Sequence, residues 1–265
     1  MAAFFIFNKI SMEAFVISLH MVKKQVIPYG DKNSSKKKQV KQMFDGISKR
    51  YDLTNRLITG GMDLQWRKKV IRLLTADQPK KILDMATGTG DLAMALAKTE
   101  ATEIVGIDLS PKMLEIGKER IKKRQLSQKI KMEVGDSEKI AYPDHYFDAA
   151  TIGFGVRNFE NLDRGLSEIW RVLRPGGTLV ILETAVPQKF PMNRLYPFYT
   201  QKFVPLLGWI FSNDWAAYRY LSNSAAHFPF GQAFNNILVK NGFIEVEDLP
   251  QTLGVASIYC AKKPE

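Results

Sequence analysis

The sequence predicts an α/β fold of the Rossmann type, with a mostly parallel sheet and helices on both faces. One reason is an apolar run at residues 82–86, which is short enough for a buried parallel strand. The glycines Gly88 and Gly90 follow, and residues 91–97 then have the composition of a helix. A second apolar run at residues 103–107 completes the pattern. Strand, glycine turn, helix and strand are the opening of a nucleotide-binding βαβ unit.

The glycine turn alone leaves two ligand classes open. Gly88, Gly90 and Ala93 fit the pattern G-x-G-x-x-G/A, and Asp108 lies about the expected 20 residues further on. This pattern suits a dinucleotide, and it also suits S-adenosylmethionine. For either ligand, glycine lets the backbone approach without a Cβ in the way. Asp108, at the tip of the second strand, is placed to accept hydrogen bonds from a ribose diol.

Composition and charge limit the class of protein. The 265 residues fit one large domain, and a single cysteine excludes an intramolecular disulfide. No apolar run reaches the roughly 20 residues that span a bilayer. The net charge of +11 would suit nucleic acid, but the basic residues are spread out, and zinc-ligand spacing and an aromatic RNA-binding signature are missing. We expect no nucleic-acid partner, no metal and a cytoplasmic location, with peripheral contact to the inner face of the membrane left open.

Residues 1–35 are predicted to be a poorly structured extension. The first 20 of them lack helical periodicity and any motif. We interpret them as an over-extended translation start, with Met12 or Met21 as the true first residue. An amphipathic arm that contacts a membrane is the alternative.

Residues 36–265 are predicted to form a single domain. Apolar spacing predicts a helix at 36–50, and we expect Asp63 to cap a second helix at 64–74. These two helices, within residues 36–75, precede the nucleotide-binding unit and are expected to lie over its ligand cleft.

The remaining elements complete the sheet. Ser110 followed by Pro111 predicts the start of a helix. The last two predicted strands are close in sequence, which favours an antiparallel pair at the sheet edge. The further elements are strands at 130–134, 147–153 and 178–182, a helix at 162–173, a turn at 174–177, an aromatic-rich helical insertion for the substrate at 187–241, and strands at 243–249 and 255–261.

The second half of the domain decides between the two ligands. A dinucleotide fold repeats its βαβαβ half, whereas here a turn at 175–177, a strand, an insertion and a terminal strand pair follow. This is the layout of class I S-adenosylmethionine-dependent methyltransferases, whose seven-stranded sheet has the order 3-2-1-4-5-7-6 with one antiparallel strand. The Tyr-x-x-x-Lys pair of a dehydrogenase helix is missing, because Tyr259 and Lys263 match it only in a terminal strand. We therefore expect S-adenosylmethionine as the cofactor.

Five stretches in order resemble the menaquinone/ubiquinone ring C-methyltransferase family, over roughly residues 38–262. The chain departs from the family at Gly153, where a serine contact to the cofactor is missing. The other departures bear on the substrate and are Thr54, Thr59, Asp63 and Ala185. The five stretches are residues 51–55 through Trp66, residues 86–91, residues 154–158, residues 171–177 with Glu183, and residues 218–221.

The resemblance implies that a ring carbon of a prenylated quinol takes a methyl group from S-adenosylmethionine. Demethylmenaquinol is the favoured substrate, and a benzoquinol of the ubiquinone pathway is the alternative. A binding or scaffold protein without catalysis is a rival, which the intact glycines and Asp108 disfavour. A methyltransferase for another phenol or a sterol is a second rival. The sequence leaves open whether the protein forms a homodimer.

The resemblance also places the cofactor at the ends of the first three strands. The alternative role of Asp84 is to cap the turn, and the alternative role of Asp136 is to cap a helix. The expected cofactor-binding residues are Gly88, Thr89 and Gly90 at the methionine end, Asp84 at the amino group, Asp108 at the ribose, and Asp136 and Ser137 at the adenine edge.

Arg157 and Asn158 are the expected catalytic residues, because they follow the fourth strand at the edge where ligands bind. A guanidinium stays protonated, so we expect Arg157 to stabilise the quinolate and Asn158 to position it. A structural pair that holds the loop is the alternative. His227 is interpreted as a packing or cap residue. The expected substrate-binding residues are Tyr51, Asp52 and Asn55 in the lid and Tyr218 and Tyr220 in the insertion.

Overall fold

The computed structural model describes residues 26–212 and 214–265. The predictions about the first 20 residues therefore lie outside the described part. The described chain starts in turns, and the first helix begins at Lys36, as predicted.

The strands form one sheet, and its order was predicted correctly. The strands are β1 (Lys81–Met85), β2 (Glu103–Asp108), β3 (Ile130–Val134), β4 (Phe147–Gly153), β5 (Leu173–Thr184), β6 (Ile244–Gln251) and β7 (Ala256–Lys262). Within the described chain their order is β3-β2-β1-β4-β5-β7-β6. Strands β1 to β5 are parallel, and β7 is antiparallel to β5 and β6.

Helices cover both faces of this sheet. They are α1 (Lys36–Thr59), α2 (Met62–Leu74), α3 (Asp91–Leu96), α4 (Pro111–Lys123), α5 (Leu162–Val172), α6 (Met192–Phe198), α7 (Val204–Ser212), α8 (Trp215–His227) and α9 (Gln232–Lys240). Apolar residues of α2, α3 and α4 fill the core on one face, and those of α5 and α9 fill it on the other. Helix α1 packs instead on α7 and α8, through a third cluster that includes Met43 and Leu221. It forms a lid with the insertion.

The lid helices differ from the prediction in two ways. The helix predicted at 36–50 continues to Thr59 and ends at Gly60, whose φ of 58° is left-handed. Gly61 is the N-cap of α2, so the prediction that Asp63 caps this helix is wrong. Asp63 is buried in the first turn, because its carboxylate accepts hydrogen bonds from Arg56 and from Thr59 Oγ1 (3.0 Å).

The turn predicted at residues 174–177 is instead part of β5. Leu173 pairs with Phe147 of β4, and the register shifts before the ladder resumes. Gly176 has a φ of 68° and donates its N–H to the carbonyl of Lys263 (3.1 Å). Residues 174–177 therefore form a bulge within β5, and pairing with β4 resumes at Thr178.

Two glycines test the packing beneath the site. A Cβ on Gly155 would collide with Cβ of Ala86 and lie 3.3 Å from Cγ2 of Ile152, whereas a Cβ on Gly46 of α1 would meet nothing within 4 Å. We expect Gly155→Ala to lower the free energy of unfolding by about 1–3 kcal/mol through overpacking. The control Gly46→Ala should raise it by roughly 0.5–1 kcal/mol, because alanine loses less backbone entropy in a helix. Urea unfolding measures both, and equal stability of Gly155→Ala and the wild type would contradict the packing described.

Candidate functional site

Two adjoining cavities open at the carboxyl edge of the sheet. The first is lined by the glycine turn after β1, by residues that follow β2 and β3, and by α1. The second, of about 560 Å³, lies between α1, α2 and the insertion helices α6, α7 and α8. Tyr51, Arg67 and Phe154 line both cavities, so the two spaces meet at these side chains.

Asp84 holds the glycine turn from below. Its buried carboxylate accepts hydrogen bonds from Thr87 Oγ1 (2.6 Å) and Thr151 Oγ1 (2.9 Å), and burial raises its pKa. Asp84 is not among the described residues that line the first cavity, and its hydrogen bond from Thr87 suits its alternative role as a cap of the turn, so its contact with an amino group stays a prediction. Gly90 is the N-cap of α3, with a left-handed φ of 79°, and is not among the described residues that line the cavity, so its predicted contact with the cofactor stays a prediction.

Asp108 ties the glycine turn to the start of α4. Its carboxylate accepts the N–H groups of Gly88 and Ser110, each at 2.8 Å. It lines the first cavity together with Gly88 and Thr89, as predicted. Burial raises the pKa of Asp108 to about 6. A ligand that donates hydrogen bonds to this carboxylate would favour its ionised form.

The far end of the first cavity lies after β3. Ser137 lines it as predicted, but Asp136 is not among its described lining residues. Asp136 accepts a hydrogen bond from Lys37 Nζ (2.6 Å) and one from the N–H of Glu138 (2.9 Å), but no helix of the described chain starts there, so its alternative role as a helix cap is wrong. Lys37 and Glu138 line this end and were not predicted, because neither belongs to a motif.

Asp52 fastens the lid to the glycine turn. Its carboxylate accepts hydrogen bonds from Thr89 Oγ1 (2.8 Å) and Arg120 Nη1 (2.8 Å), and burial raises its pKa. Arg120 and Arg56 both reach Asp91, at 2.5 and 2.8 Å. Asp52 was predicted to bind substrate, but it lines only the first cavity. The arginines were not predicted, because Arg120 lies 68 residues from Asp52.

Arg157 forms a buried ion pair with a partner that sequence analysis did not assign to the site. Its Nη1 donates to Glu183 Oε1 (2.6 Å) and to the carbonyl of Phe154 (2.8 Å). Burial opposes the charge of Arg157, but Glu183, Tyr51 and Tyr220 together outweigh this effect and raise its pKa. Arg157 lines the second cavity, and its Nε has no hydrogen-bond partner among the described residues. Because this Nε is itself buried, what Arg157 presents to the second cavity is the positive charge of its guanidinium.

Asn158 lies on the other side of the junction and lines the first cavity. Its Oδ1 accepts the hydroxyl of Tyr220 at 3.1 Å. Tyr220 was predicted to bind substrate, but it is not among the described residues that line the second cavity. It positions Asn158 instead.

The second cavity is mostly apolar and includes three of the predicted substrate residues, Tyr51, Asn55 and Tyr218. Burial raises the pKa of Tyr51, which keeps its hydroxyl protonated. The apolar residues that line this cavity are Leu57, Ile58, Met62, Trp66, Met192, Leu195, Val204, Leu221 and Val255. Such a wall suits a hydrocarbon ligand.

Lys36 anchors the turn that carries Arg157 and Asn158. Its Nζ donates to the carbonyls of Arg157 (3.0 Å) and Phe159 (2.8 Å), which ties the first residue of α1 to this turn. Burial lowers the pKa of Lys36 to about 8. The sequence offers no signal for this role, since Lys36 starts a run of three lysines.

Comparison with known proteins bears on this site. The profile of the ubiE/COQ5 methyltransferase family matches residues 32–263. A demethylmenaquinone methyltransferase of Bacteroides fragilis is 40% identical over 90% of this chain and 98% of its own. A ubiquinone/menaquinone biosynthesis C-methyltransferase of Geobacter sulfurreducens is 37% identical over 87% of this chain and 90% of its own.

Solved structures show the same fold. An S-adenosylmethionine-dependent methyltransferase from Thermotoga maritima superposes with a TM-score of 0.60 at 20% identity, over 84% of this chain and 99% of its own. In the part of the chain that the structure describes, no helix is long and apolar enough to cross a membrane. Nor do three His, Cys, Asp or Glu side chains there group to hold a metal ion.

The buried position of Lys36 should make the free energy of unfolding depend on pH. Its pKa is about 8 in the folded protein and ordinarily 10.5, so the folded state binds fewer protons between these values. The contribution of Lys36 to the free energy of unfolding is therefore largest above pH 10.5, and it is lost as the pH falls through 8. Between pH 7 and pH 9 the free energy of unfolding should rise by about 1 kcal/mol more in the wild type than in Lys36→Met.

Urea unfolding of both proteins at the two pH values measures this difference. The exposed Lys38→Met is the matched control and should keep the pH dependence of the wild type. An equal change in the wild type and Lys36→Met would show that Lys36 is not held in the buried position described.

Proposed function

This chain belongs to the ubiE/COQ5 methyltransferase family, and from this premise we propose that it methylates a ring carbon of a prenylated quinol with S-adenosylmethionine. Demethylmenaquinol is the proposed substrate, since the Bacteroides fragilis relative is named for demethylmenaquinone. The observation that carries the proposal is the junction of the two cavities. A nucleotide-type cavity and an apolar cavity meet at Tyr51, Arg67 and Phe154.

The residues of the first cavity fit the cofactor. A Cβ on Gly88 would meet nothing within 4 Å, so the backbone there is open to a ligand. Thr89 and Gly88 would hold the methionine end, Asp108 would accept hydrogen bonds from the ribose hydroxyls, and Ser137 would face the adenine. When bound, the cofactor supplies a methyl group on a positively charged sulfur, which a nucleophilic carbon attacks.

In the proposed reaction Arg157 stabilises the charge that the quinol oxygen gains when its proton leaves. The guanidinium stays protonated and lies in the wall of the second cavity, so its positive charge stabilises the oxygen. Glu183 fixes the side chain, and Asn158, held by Tyr220, orients the ring across the junction. Alignment of the two reactants supplies a further part of the rate enhancement.

We infer that the prenyl tail lies in the apolar cavity and leaves it past Leu57 and Leu195. Both line the cavity and are also exposed, at 44% and 57%. Phe198 and Phe203 extend the apolar surface nearby. Both are exposed, and their ring centroids are 5.8 Å apart. A tail that emerges here would remain in a bilayer, so this surface is the proposed site of membrane contact.

Asp108 makes cofactor affinity dependent on pH. Its pKa is about 6, so it is ionised at pH 7 and mostly protonated at pH 5. If only the carboxylate binds the ribose, affinity for S-adenosylmethionine should fall by about tenfold between these values, while the amino group of the ligand stays charged. Calorimetry at both pH values measures it.

Two variants test whether Asp108 causes this dependence on pH. Asp108→Asn should bind more weakly at pH 7 and lose the pH dependence, whereas Asp136→Asn should keep it. A wild-type affinity that is the same at pH 5 and pH 7 would remove Asp108 from the ribose site.

The reaction itself is tested by single-turnover methyl transfer to a short-tailed demethylmenaquinol, with the ubiquinone-pathway benzoquinol in parallel. The wild type should methylate the naphthoquinol faster. Arg157→Lys keeps a positive charge against Glu183, but its compact ammonium does not reproduce the planar guanidinium beside the quinol oxygen. It should lower kcat by about 100-fold, as for a lost oxyanion donor, and leave cofactor affinity unchanged.

The exposed Arg219→Lys is the control and should retain full activity. Melting curves show whether each variant is folded. A wild type that binds the cofactor but methylates neither quinol would refute the proposed function. Near-normal turnover of Arg157→Lys would show that this arginine only holds the loop and does not stabilise the quinol oxygen.

A further inference from the structure

Arg67 of α2 stands between the two cavities and belongs to neither the glycine turn nor the Arg157 pair. Its Cζ lies 5.8 Å from the ring centroid of Phe154. A Cβ built on Gly153, at the end of β4, would be 3.4 Å from Arg67 Nη1. The guanidinium therefore reaches the sheet edge where the spaces meet.

The hydrogen bonds of Arg67 leave most of its donors unused. In the described part of the chain its one ion pair runs from Nε to Asp63 Oδ2, at 3.4 Å. Asp63 already accepts hydrogen bonds from Arg56 and Thr59. The side chain of Arg67 is only 15% exposed, so water replaces the missing partners only in part. A guanidinium with free terminal nitrogens in a cavity wall is a site for a planar anion.

Charge around Arg67 supports this conclusion. Asp91 lies in the first cavity, and although burial opposes its ionisation, Arg67 is the strongest influence that lowers its pKa. Asp91 has its short bonds with Arg120 and Arg56, however, at 2.5 and 2.8 Å. Of the three arginines in this network, Arg67 alone has a single, long ion pair among the described residues.

We propose that Arg67 binds the α-carboxylate at the methionine end of the cofactor, an assignment that rests on the proposed function. Two cations, a guanidinium and a sulfonium, would otherwise face each other across the junction and weaken binding. The carboxylate places an anion beside the guanidinium, which binds it through two parallel hydrogen bonds. Arg67 thereby fixes the amino-acid end of the cofactor and orients the methyl group toward the second cavity.

The test compares two ligands that differ only in this carboxylate. Calorimetry measures binding of S-adenosylmethionine and of its decarboxylated form to the wild type, Arg67→Gln and Arg67→Lys. Arg67→Gln should bind S-adenosylmethionine roughly 10- to 100-fold more weakly, the loss expected for a charged hydrogen bond. The decarboxylated ligand should bind the wild type and Arg67→Gln equally, and Arg67→Lys should recover part of the lost affinity. Arg72→Gln, an exposed change on the same helix, should match the wild type.

Three outcomes would overturn the assignment. Equal weakening of both ligands in Arg67→Gln would mean that Arg67 shapes the cavity without contacting the carboxylate. Unchanged affinity for both, with a raised KM for the quinol, would place the arginine on the quinol oxygen. A wild type that binds neither ligand would refute the proposed function as well, whereas the first two outcomes leave methyl transfer by the wild type intact.

Discussion

The site depends on the contact between the lid helix and the glycine turn. Asp52 of α1 accepts the hydroxyl of Thr89, and Arg120 binds both Asp52 and Asp91. This clasp adds to the apolar contacts of α1 with α7 and α8 and to the hydrogen bonds of Lys36, Lys37 and Asp45, and it holds α1 against the glycine turn. Because the bonds are partly shielded from water, they are stronger than surface ion pairs, which contribute about 0–1 kcal/mol.

The junction is built from charges that the fold has taken out of water. Arg157 and Glu183 are both buried, and such a pair gains little net stability because desolvation offsets the attraction. Its value is positional: Glu183 lies on β5 and fixes the guanidinium in the wall of the second cavity. The same pattern recurs at Asp108, where two backbone N–H groups hold a carboxylate whose pKa is raised by burial. A ligand that completes the hydrogen bonds of these groups offsets a cost already present in the folded protein.

Much of this arrangement was predictable, because it follows from local sequence. The apolar runs fixed the strands, Ser110 and Pro111 marked a helix start, and the carboxyl ends of parallel strands placed Gly88, Asp108, Ser137 and Arg157 at one edge. The errors arose where tertiary partners override local preference. Aspartate is a common cap residue, but the carboxylate of Asp63 pairs with Arg56 instead. The carboxylate of Asp136 likewise pairs with Lys37. Tyr220 looked like a pocket residue because aromatic spacing does not distinguish the wall of a cavity from a support behind it.

The sequence by itself determined the buried strands and the glycine turn, which depend on residues that are neighbours in the chain, and its resemblance to a known fold and family supplied the sheet order. Only the tertiary structure decided how the two cavities join. Tyr51, Arg67, Phe154 and Arg157 come from three separate segments, and no periodicity relates them. Long-range pairs such as Asp52 with Arg120 and Lys36 with the carbonyl of Arg157 likewise appear only after folding. The physical reason is that hydrophobic periodicity specifies which face of an element is buried, whereas the partner of a buried charge depends on which elements that burial brings together.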